Sequence, residues 1–475
     1  MDGELDRLST RVSRRTAFGL AAAAGITLAA CGRSDDGTGA TPSSAAADAR
    51  GIAADAYIYG YPLVLMDATR TAFEAIVPTN RFLHADSLPT PARRDLVRVN
   101  IDTLYSIAWL DLATEPIVLR MPAVESGRFW VMQFLDAWTN TVHSPGSIRP
   151  RVEPGAPGPP YTYVVTGPGW AGELPDDAVR LEMPTPMVWL IGRIQVDGSE
   201  DVPAVLALQR ELALVPLGDW LAGRPAPEGT VEPVETTTPP AFRVGSMDAD
   251  SFFTRLCALM AVNPPAPEDA PALARFARIG IRPGGAVTGI SAADLDDGVA
   301  AARRQLPTYI DPDTTVANGW EYSTELGEYG TDYRLRARVA QQGLGANLPE
   351  HAIYPNLNGL ADTGGTPNRY RLRFLPGQFP PVDAFWSITA YDGDGFLIPH
   401  PSGIHSVGHH IPPVPDPDGS LTLAVQYEQP GSAVPAGNWL PIPDAGPFSL
   451  TMRLYAPRPS VLRGEWHPPA LEPAP

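Results

Sequence analysis

What most constrains this fold is a pattern that appears twice. Between residues 96 and 200, short segments rich in Val, Ile, Trp and Tyr recur as PIVLRMP, RFWVMQFLDAW, YTYVVTGP and VWLIGRIQV, separated by Gly/Pro turns. From about residue 370 the pattern returns in RYRLRFL, AFWSITAYD, LTLAVQY and FSLTMRLYAP. Short strands punctuated this way read as β-sandwiches or barrels. Pro (54) and Gly (44) make up about a fifth of the 475 residues, which opposes a mostly helical chain.

The rest of the chain reads differently. Residues 50–77 place Ile52, Ala56, Tyr59, Leu63 and Met66 at helical spacing, and Pro62 is expected to kink or break that helix. Residues 201–220 return to a helical pattern, and RPAPEGTVEPVETTTPPAF (224–242) is a polar, Pro-rich linker. Helices follow over 246–305. Ser246 or Asp248 caps the first, Gly280 ends the second, and Ser291 with Asp294 opens the third in capping-box order. Cys257 falls on the apolar pattern of the first helix and reads as a buried structural thiol.

The charges exclude several functions. All 35 basic residues are Arg, so a Walker A loop, a pyridoxal Schiff base and any lysine nucleophile are ruled out. A net charge of −18 without a basic run argues against nucleic acid as a partner. At the N-terminus, Arg14–Arg15 precede a weakly apolar run, Ala17 to Ala30, too short to span a bilayer. LAAC, ending at Cys31, has the form of a bacterial lipobox, and the twin arginine has the form of a Tat signal. Residues 1–30 are thus expected to be a signal peptide. Cys31 would carry the lipid anchor to the outer face of the cytoplasmic membrane, and 31–49 would be a flexible tether.

VRVNIDTLYSIAWLDL (97–112), FWVMQFLDAWTN (129–140), GPGW (167–170) and PTPMVWLIGRIQV (184–196) resemble the bacterial domain of unknown function numbered 1254. FWSITAYDGDGFLI (385–398), DGSLTL (418–423), NWLPIP (438–443) and FSLTMRLYAP (448–457) resemble its usual partner, numbered 1214. The resemblance implies an α+β, mainly β fold, with two jelly-roll-like β-sandwich domains and a small helical region between them. It implies no established reaction. The expected units are the N-terminal sandwich with flanking helices (50–223), the linker (224–242), the helical region (243–345) and the C-terminal sandwich (346–475). One departure is IPHPSGIHSVGHH after the DGDG turn, where the family usually carries polar and Arg residues.

Four features could carry chemistry. Arg98, Asn100 and Asp102 would share one face if 98–102 is a strand, with Tyr105 close by. That row fits a polar ligand, with Asp102, Arg98 and Tyr105 as catalytic candidates; the alternative is a turn network in which Asp102 neutralises Arg98. Second, His400, His405, His409 and His410 crowd into eleven residues, and His405 with His409 could hold a divalent metal. A solvated His-rich loop is the alternative. Third, YDGDG (Asp392, Asp394) faintly resembles a Ca²⁺ loop but reads better as a β-turn. Fourth, Asp136 near Trp138, and Trp189 near Arg193, could face a cleft and bind ligand.

Two functions follow. One is a membrane-tethered, extracytoplasmic, hydrolase-like enzyme acting on a polar small molecule or glycan, with Asp102 and Asp136 as paired carboxylates. The other is a non-catalytic surface lipoprotein that binds a ligand or envelope polymer.

Overall fold

The computed structural model describes residues 44–474 apart from 95, 151, 153–157, 232–237 and 433. The signal segment, Cys31 and the first part of the tether lie outside the described residues. The tether expected to reach residue 49 gives way to helix earlier, because α1 (Ser44–Glu74) starts inside it. α1 runs 31 residues straight through Pro62, contrary to the expected break. Proline there costs about 3 kcal/mol. Burial of nearly every residue from Ile52 to Met66 outweighs it.

The N-terminal half supplies nine strands: β1 (Leu83–His84), β2 (Thr103–Asp111), β3 (Ile117–Met121), β4 (Trp130–Leu135), β5 (Thr141–His143), β6 (Tyr161–Thr166), β7 (Ala178–Glu182), β8 (Met187–Gln195) and β9 (Ala213–Pro216). They form two sheets, ordered β1-β2-β8-β4-β5 and β7-β6-β3-β9. Leu104, Leu110, Met132, Phe134, Leu190 and Ile194 of the first sheet meet Leu119, Tyr163, Val165 and Leu181 of the second, which makes a sandwich. The opposite face of the first sheet is buried as well. There Ile107, Trp109, Trp189 and Ile191 pack against α1 and its partners. With both faces covered, every residue of β8 is buried, rather than alternate ones.

Helices α2 (Val202–Glu211) and α3 (Leu217–Leu221) flank this sandwich. The expected linker ends early, since Pro240 opens α4 (Pro240–Ser246), where a fixed φ suits the first helical turn. α5 (Ala249–Val262), α6 (Ala270–Phe276), α7 (Ala292–Gln305) and α8 (Tyr333–Gly343) follow. Asp248 and Ser291 accept hydrogen bonds at the starts of α5 and α7, as the capping pattern predicts. These helices pack around α1, and with 28% helix and 25% strand the fold is α+β, as expected. At Gly298 of α7 a Cβ would meet Ala53 Cβ and Arg50 O at 2.7 Å, so the two helices approach almost backbone to backbone.

The C-terminal sandwich starts inside the stretch expected to be helical, with β10 (Thr315–Ala317) and β11 (Trp320–Tyr322). These join β12 (Ala352–Ile353), β13 (Asn356–Leu360), β17 (Trp386–Asp392), β18 (Ser406–Gly408) and β21 (Pro447–Tyr455) in one sheet. β14 (Asp362–Thr363) and β15 (Thr366–Pro367) form a small hairpin. β16 (Tyr370–Phe374), β19 (Leu421–Val425), β20 (Trp439–Leu440) and β22 (Leu471–Pro473) form the facing sheet. Ile388, Leu450, Met452 and Leu454 face Leu372, Phe374 and Leu423 in its core. The alternate residues of β17 and β21 (Ser387, Thr389, Tyr391, Ser449, Thr451, Arg453, Tyr455) are polar and buried. Hydrogen bonds from several of them to residues 98–102 and their vicinity show where the two halves meet.

Candidate functional site

Where the N-terminal sandwich, α8 and the C-terminal sandwich converge there is a cleft of about 600 Å³. Tyr105 on β2 and Arg193 on β8 are direct cross-strand partners, so both project from the helix-facing side of the sheet into the cleft. Trp189 lies on the same face by the strand period of two. Asn356 and Thr451 are likewise cross-strand partners, and Arg453 stands two residues along β21 on the Thr451 face. Gly345 closes the end of α8 against Trp189 and Ile191, with φ +85 and no room for a Cβ.

Three guanidinium groups define the polar part. Arg193 is 6% exposed and donates to Gln133 Oε1 (2.5 Å), Asn347 Oδ1 (2.9 Å) and Gly345 O (2.9 Å). Its Cζ lies 5.3 Å from the Tyr105 ring centre. Arg98 donates to Asn356 Oδ1 (3.2 Å) and Thr451 Oγ1 (3.3 Å). Arg453 donates to Thr389 Oγ1 (2.9 Å), Tyr391 OH (2.7 Å) and Arg98 O (3.2 Å). Among the described residues none of the three has a carboxylate within 4.0 Å. Burial lowers the Arg98 pKa. Burial works against the charge on Arg453 too, but Tyr391 and the more distant Asp102 carboxylate outweigh it and hold its pKa up. The apolar walls come from Ile107, Trp189, Ile191, Leu335, Val339 and Leu344.

Tyr105 is the group most altered by these surroundings. Burial by itself would raise its phenol above the ordinary value of 10. The Arg193 guanidinium and a hydrogen bond from Asn100 Nδ2 (3.2 Å) favour the phenolate and bring it below 10.

The structure separates residues that the strand reading put together. The segment 98–102 is not a strand. β2 starts at Thr103, and Arg98 takes a left-handed backbone (φ +50) fixed by its N–H bond to Gly395 O (2.7 Å). Asn100 Oδ1 accepts from Asp102 N (2.8 Å), which turns Asp102 away from Arg98. Arg98, Asn100, Tyr105, Trp189 and Arg193 line the cleft, but Asp102 does not. Asp102 is fully buried behind it, where its Oδ2 accepts from Ser387 Oγ (2.7 Å). Asp102 is therefore neither the partner of Arg98 nor a catalytic group in the cleft.

Asp136 is also structural. It accepts from the N–H groups of Trp138 (2.9 Å) and Asn140 (2.8 Å) in the turn after β4, and burial lifts its pKa to about 6. Asp102 and Asp136 lie at opposite ends of β8, on the order of 25 Å of strand apart. Paired glycosidase carboxylates need about 5–9.5 Å, so these two do not act together.

The metal pair His405 and His409 is corrected as well. The residues that converge within 4.8 Å are His409, His410 and Asp102, and His405, at the other end of β18, is not among them. Asp392 accepts from the N–H groups of Asp394 (3.1 Å) and Phe396 (2.8 Å), which makes YDGDG a turn. Cys257 is buried in α5. Sequence reasoning missed Asn347, Tyr354, Asn356, Thr451 and Arg453. The available signal was the alternation in FSLTMRLY, which sets Ser449, Thr451, Arg453 and Tyr455 on one face.

Residues 79–216 match the family described as protein of unknown function DUF1254, and residues 357–459 match protein of unknown function DUF1214. The chain belongs to the family that carries these two domains in this order. The DUF1254 part supplies Arg98, Asn100, Tyr105 and Arg193 to the cleft, and the DUF1214 part supplies Thr451 and Arg453. Asn347, Tyr354 and Asn356 come from the segment between them. No curated protein matches the chain. The VPA0106 protein from Vibrio parahaemolyticus has a similar structure, with a TM-score of 0.67 and 22% identity over 90% of this chain and all (100%) of that one. That likeness shows a shared fold. An uncharacterized protein from Burkholderia cenocepacia, 14% identical, aligns over 88% of this chain and 87% of its own with a TM-score of 0.41.

Proposed function

We propose that the chain is a membrane-tethered, extracytoplasmic lipoprotein whose cleft binds a small amphipathic anion, a carboxylate on an apolar body. The observation that carries the binding part is that, among the described residues, no carboxylate touches Arg98, Arg193 or Arg453; Arg453 is partly compensated by Tyr391 and the more distant Asp102, so Arg98 and Arg193 are the two left for a ligand. In a chain of net charge −18, three cleft-lining guanidinium groups have no carboxylate within 4.0 Å among the described residues. A buried cation without a counter-ion is costly, and an anionic ligand supplies what is missing. The apolar walls take the rest of the ligand. The separation of Asp102 from Asp136 favours binding over hydrolysis.

The tether rests on LAAC and Cys31, and among the described residues no helix is long and apolar enough to cross a membrane. Replacing Cys31 by Ser is expected to move the protein from the membrane fraction to the soluble one. Retention in the membrane would remove the lipoprotein reading. For the ligand, a thermal-shift panel should compare aliphatic and aromatic carboxylates with their neutral amides. Carboxylates should stabilise the protein and amides should not. Equal responses would count against the anion site.

A second reading has its own support. A phenol held below its ordinary value beside a guanidinium, at the wall of a cleft, is suited to proton transfer. Tyr105 would then exchange a proton with the bound ligand.

A further inference from the structure

Behind the cleft, where the two sandwiches meet, three buried side-chain atoms lie within 4.8 Å of one another. Asp102 Oδ1 lies 3.9 Å from His409 Nδ1 and 3.9 Å from His410 Nε2. None of the three has a hydrogen-bond partner, and Asp102 is fully buried. The second carboxylate oxygen is occupied by Ser387 Oγ, so Oδ1 is held facing the rings. His409 Nε2 lies 3.3 Å from Val196 O, with Asp197 Oδ1 at 3.8 Å. An imidazole that donates from Nε2 to that carbonyl carries its lone pair on Nδ1. That lone pair faces a carboxylate oxygen, and two acceptors at this distance repel unless a cation stands between them.

We propose that Asp102 Oδ1, His409 Nδ1 and His410 Nε2 bind one divalent transition-metal ion of the zinc class. Two bonds of about 2.0–2.1 Å at a tetrahedral angle place ligand atoms about 3.4 Å apart. The two 3.9 Å separations need to close by about half an ångström, and the two histidine nitrogens, within 4.8 Å of each other, by at most about 1.4 Å. Two imidazoles and one carboxylate suit zinc, cobalt or iron, whereas calcium and magnesium take oxygen ligands. Val196 O and Asp197 stand behind His409 as the carbonyl and carboxylate that commonly orient a metal-bound imidazole. Phe385 covers the His409 ring with centroids 4.0 Å apart and shields the site from water. The buried Tyr455 hydroxyl is also without a partner. Asp102 precedes β2 and the histidines follow β18, so the ion would tie the N-terminal sandwich to the C-terminal one.

The test uses untagged full-length protein, stripped with chelator and titrated with Co²⁺ and then Zn²⁺ alone. Saturable uptake of one equivalent is expected, with a visible ligand-field band from Co²⁺ that Zn²⁺ displaces and a higher melting temperature in Zn²⁺. His410→Gln and His409→Gln should each weaken Co²⁺ binding about tenfold or more, while His405→Gln should leave it unchanged. Circular dichroism checks that each variant folds, and if His409→Gln does not, the wild-type band and His410→Gln decide. The absence of a wild-type band, or a band unaffected by His410→Gln, overturns the site. Equal loss in His405→Gln overturns it too.

Discussion

Consider Arg193→Met. Methionine keeps most of the length and apolar volume of the arginine stem, so the cavity term is small. What is removed is a guanidinium that donates to Gln133 Oε1, Asn347 Oδ1 and Gly345 O. An acceptor left buried without a donor costs about 1–3 kcal/mol, so three would cost at most about 3–9 kcal/mol. Two effects reduce this sum. Gln133 still donates through Nε2 to Thr141 Oγ1 (2.8 Å) and Ala346 O (2.7 Å), and Asn347 still donates to the Tyr354 hydroxyl, so both side chains stay anchored. The lost charge also had no carboxylate partner, so its removal leaves no opposite charge stranded. A net loss of about 1–3 kcal/mol follows, a melting decrease of about 1–3 °C, since about 2.1 cal/mol/K of unfolding entropy per residue makes 1 kcal/mol worth about 1 °C in a chain of this length. Ligand binding should suffer more. A charge-assisted hydrogen bond contributes about 1.5–3 kcal/mol, which converts to roughly 10–150-fold in Kd for the carboxylate. Differential scanning fluorimetry with and without the carboxylate, with its amide as control, reads both quantities. If Arg193→Met melts lower yet responds to the carboxylate as fully as wild type, Arg193 is structural and the anion assignment fails.

The remaining predictions concern Tyr105 and Gly298. The Tyr105 phenol titrates below 10 in the folded protein and at the ordinary 10 when unfolded. The stability it contributes is therefore complete above 10 and is lost as pH falls through the folded value. The stability difference between wild type and Tyr105→Phe, measured by denaturant unfolding, should grow as pH is raised toward 10; a flat difference would place Tyr105 away from Arg193. Gly298→Val should destabilise by about 1–3 kcal/mol or more, because its Cβ meets Ala53 and the Arg50 carbonyl at 2.7 Å. Exposed helical glycines gain stability from a side chain, so a higher denaturation midpoint in this variant would contradict the close crossing of α1 and α7.

Much of the architecture was legible because strand segments cut by Gly and Pro announce themselves. Trp189 and Arg193, four apart on a strand, share a face by periodicity, and both reach the cleft. Asp102 was misplaced for a physical reason. The period of two holds only inside a strand, and the Asn100 turn with left-handed Arg98 ends that regularity one residue before Thr103. His410 was passed over as a ligand because His405 and His409, four residues apart, share a face on a regular strand and His410 does not. The chain leaves β18 at Gly408, whose φ of +133 frees it from that rule and lets His409 and His410 converge on one carboxylate. Arg453 was missed because an alternating strand ordinarily turns its polar face to water. Here that face is covered by the other half of the protein, which periodicity within one strand cannot reveal. The continuity of α1 through Pro62 is a similar override of a local rule by packing.

The place of α1 in chain order has a consequence for biosynthesis. It emerges from the ribosome before every other described element, yet the helices that enclose it, α7 and α8, are encoded more than two hundred residues later. Until residue 343 has been synthesised, the outer face of the first sheet, with the stacked pair Trp109 and Trp189, is without its full cover. A nascent chain ending after β9 thus presents a wide apolar surface at a stage when it cannot be buried intramolecularly. Completing the N-terminal half is therefore a long-range event that waits for helices encoded well after it.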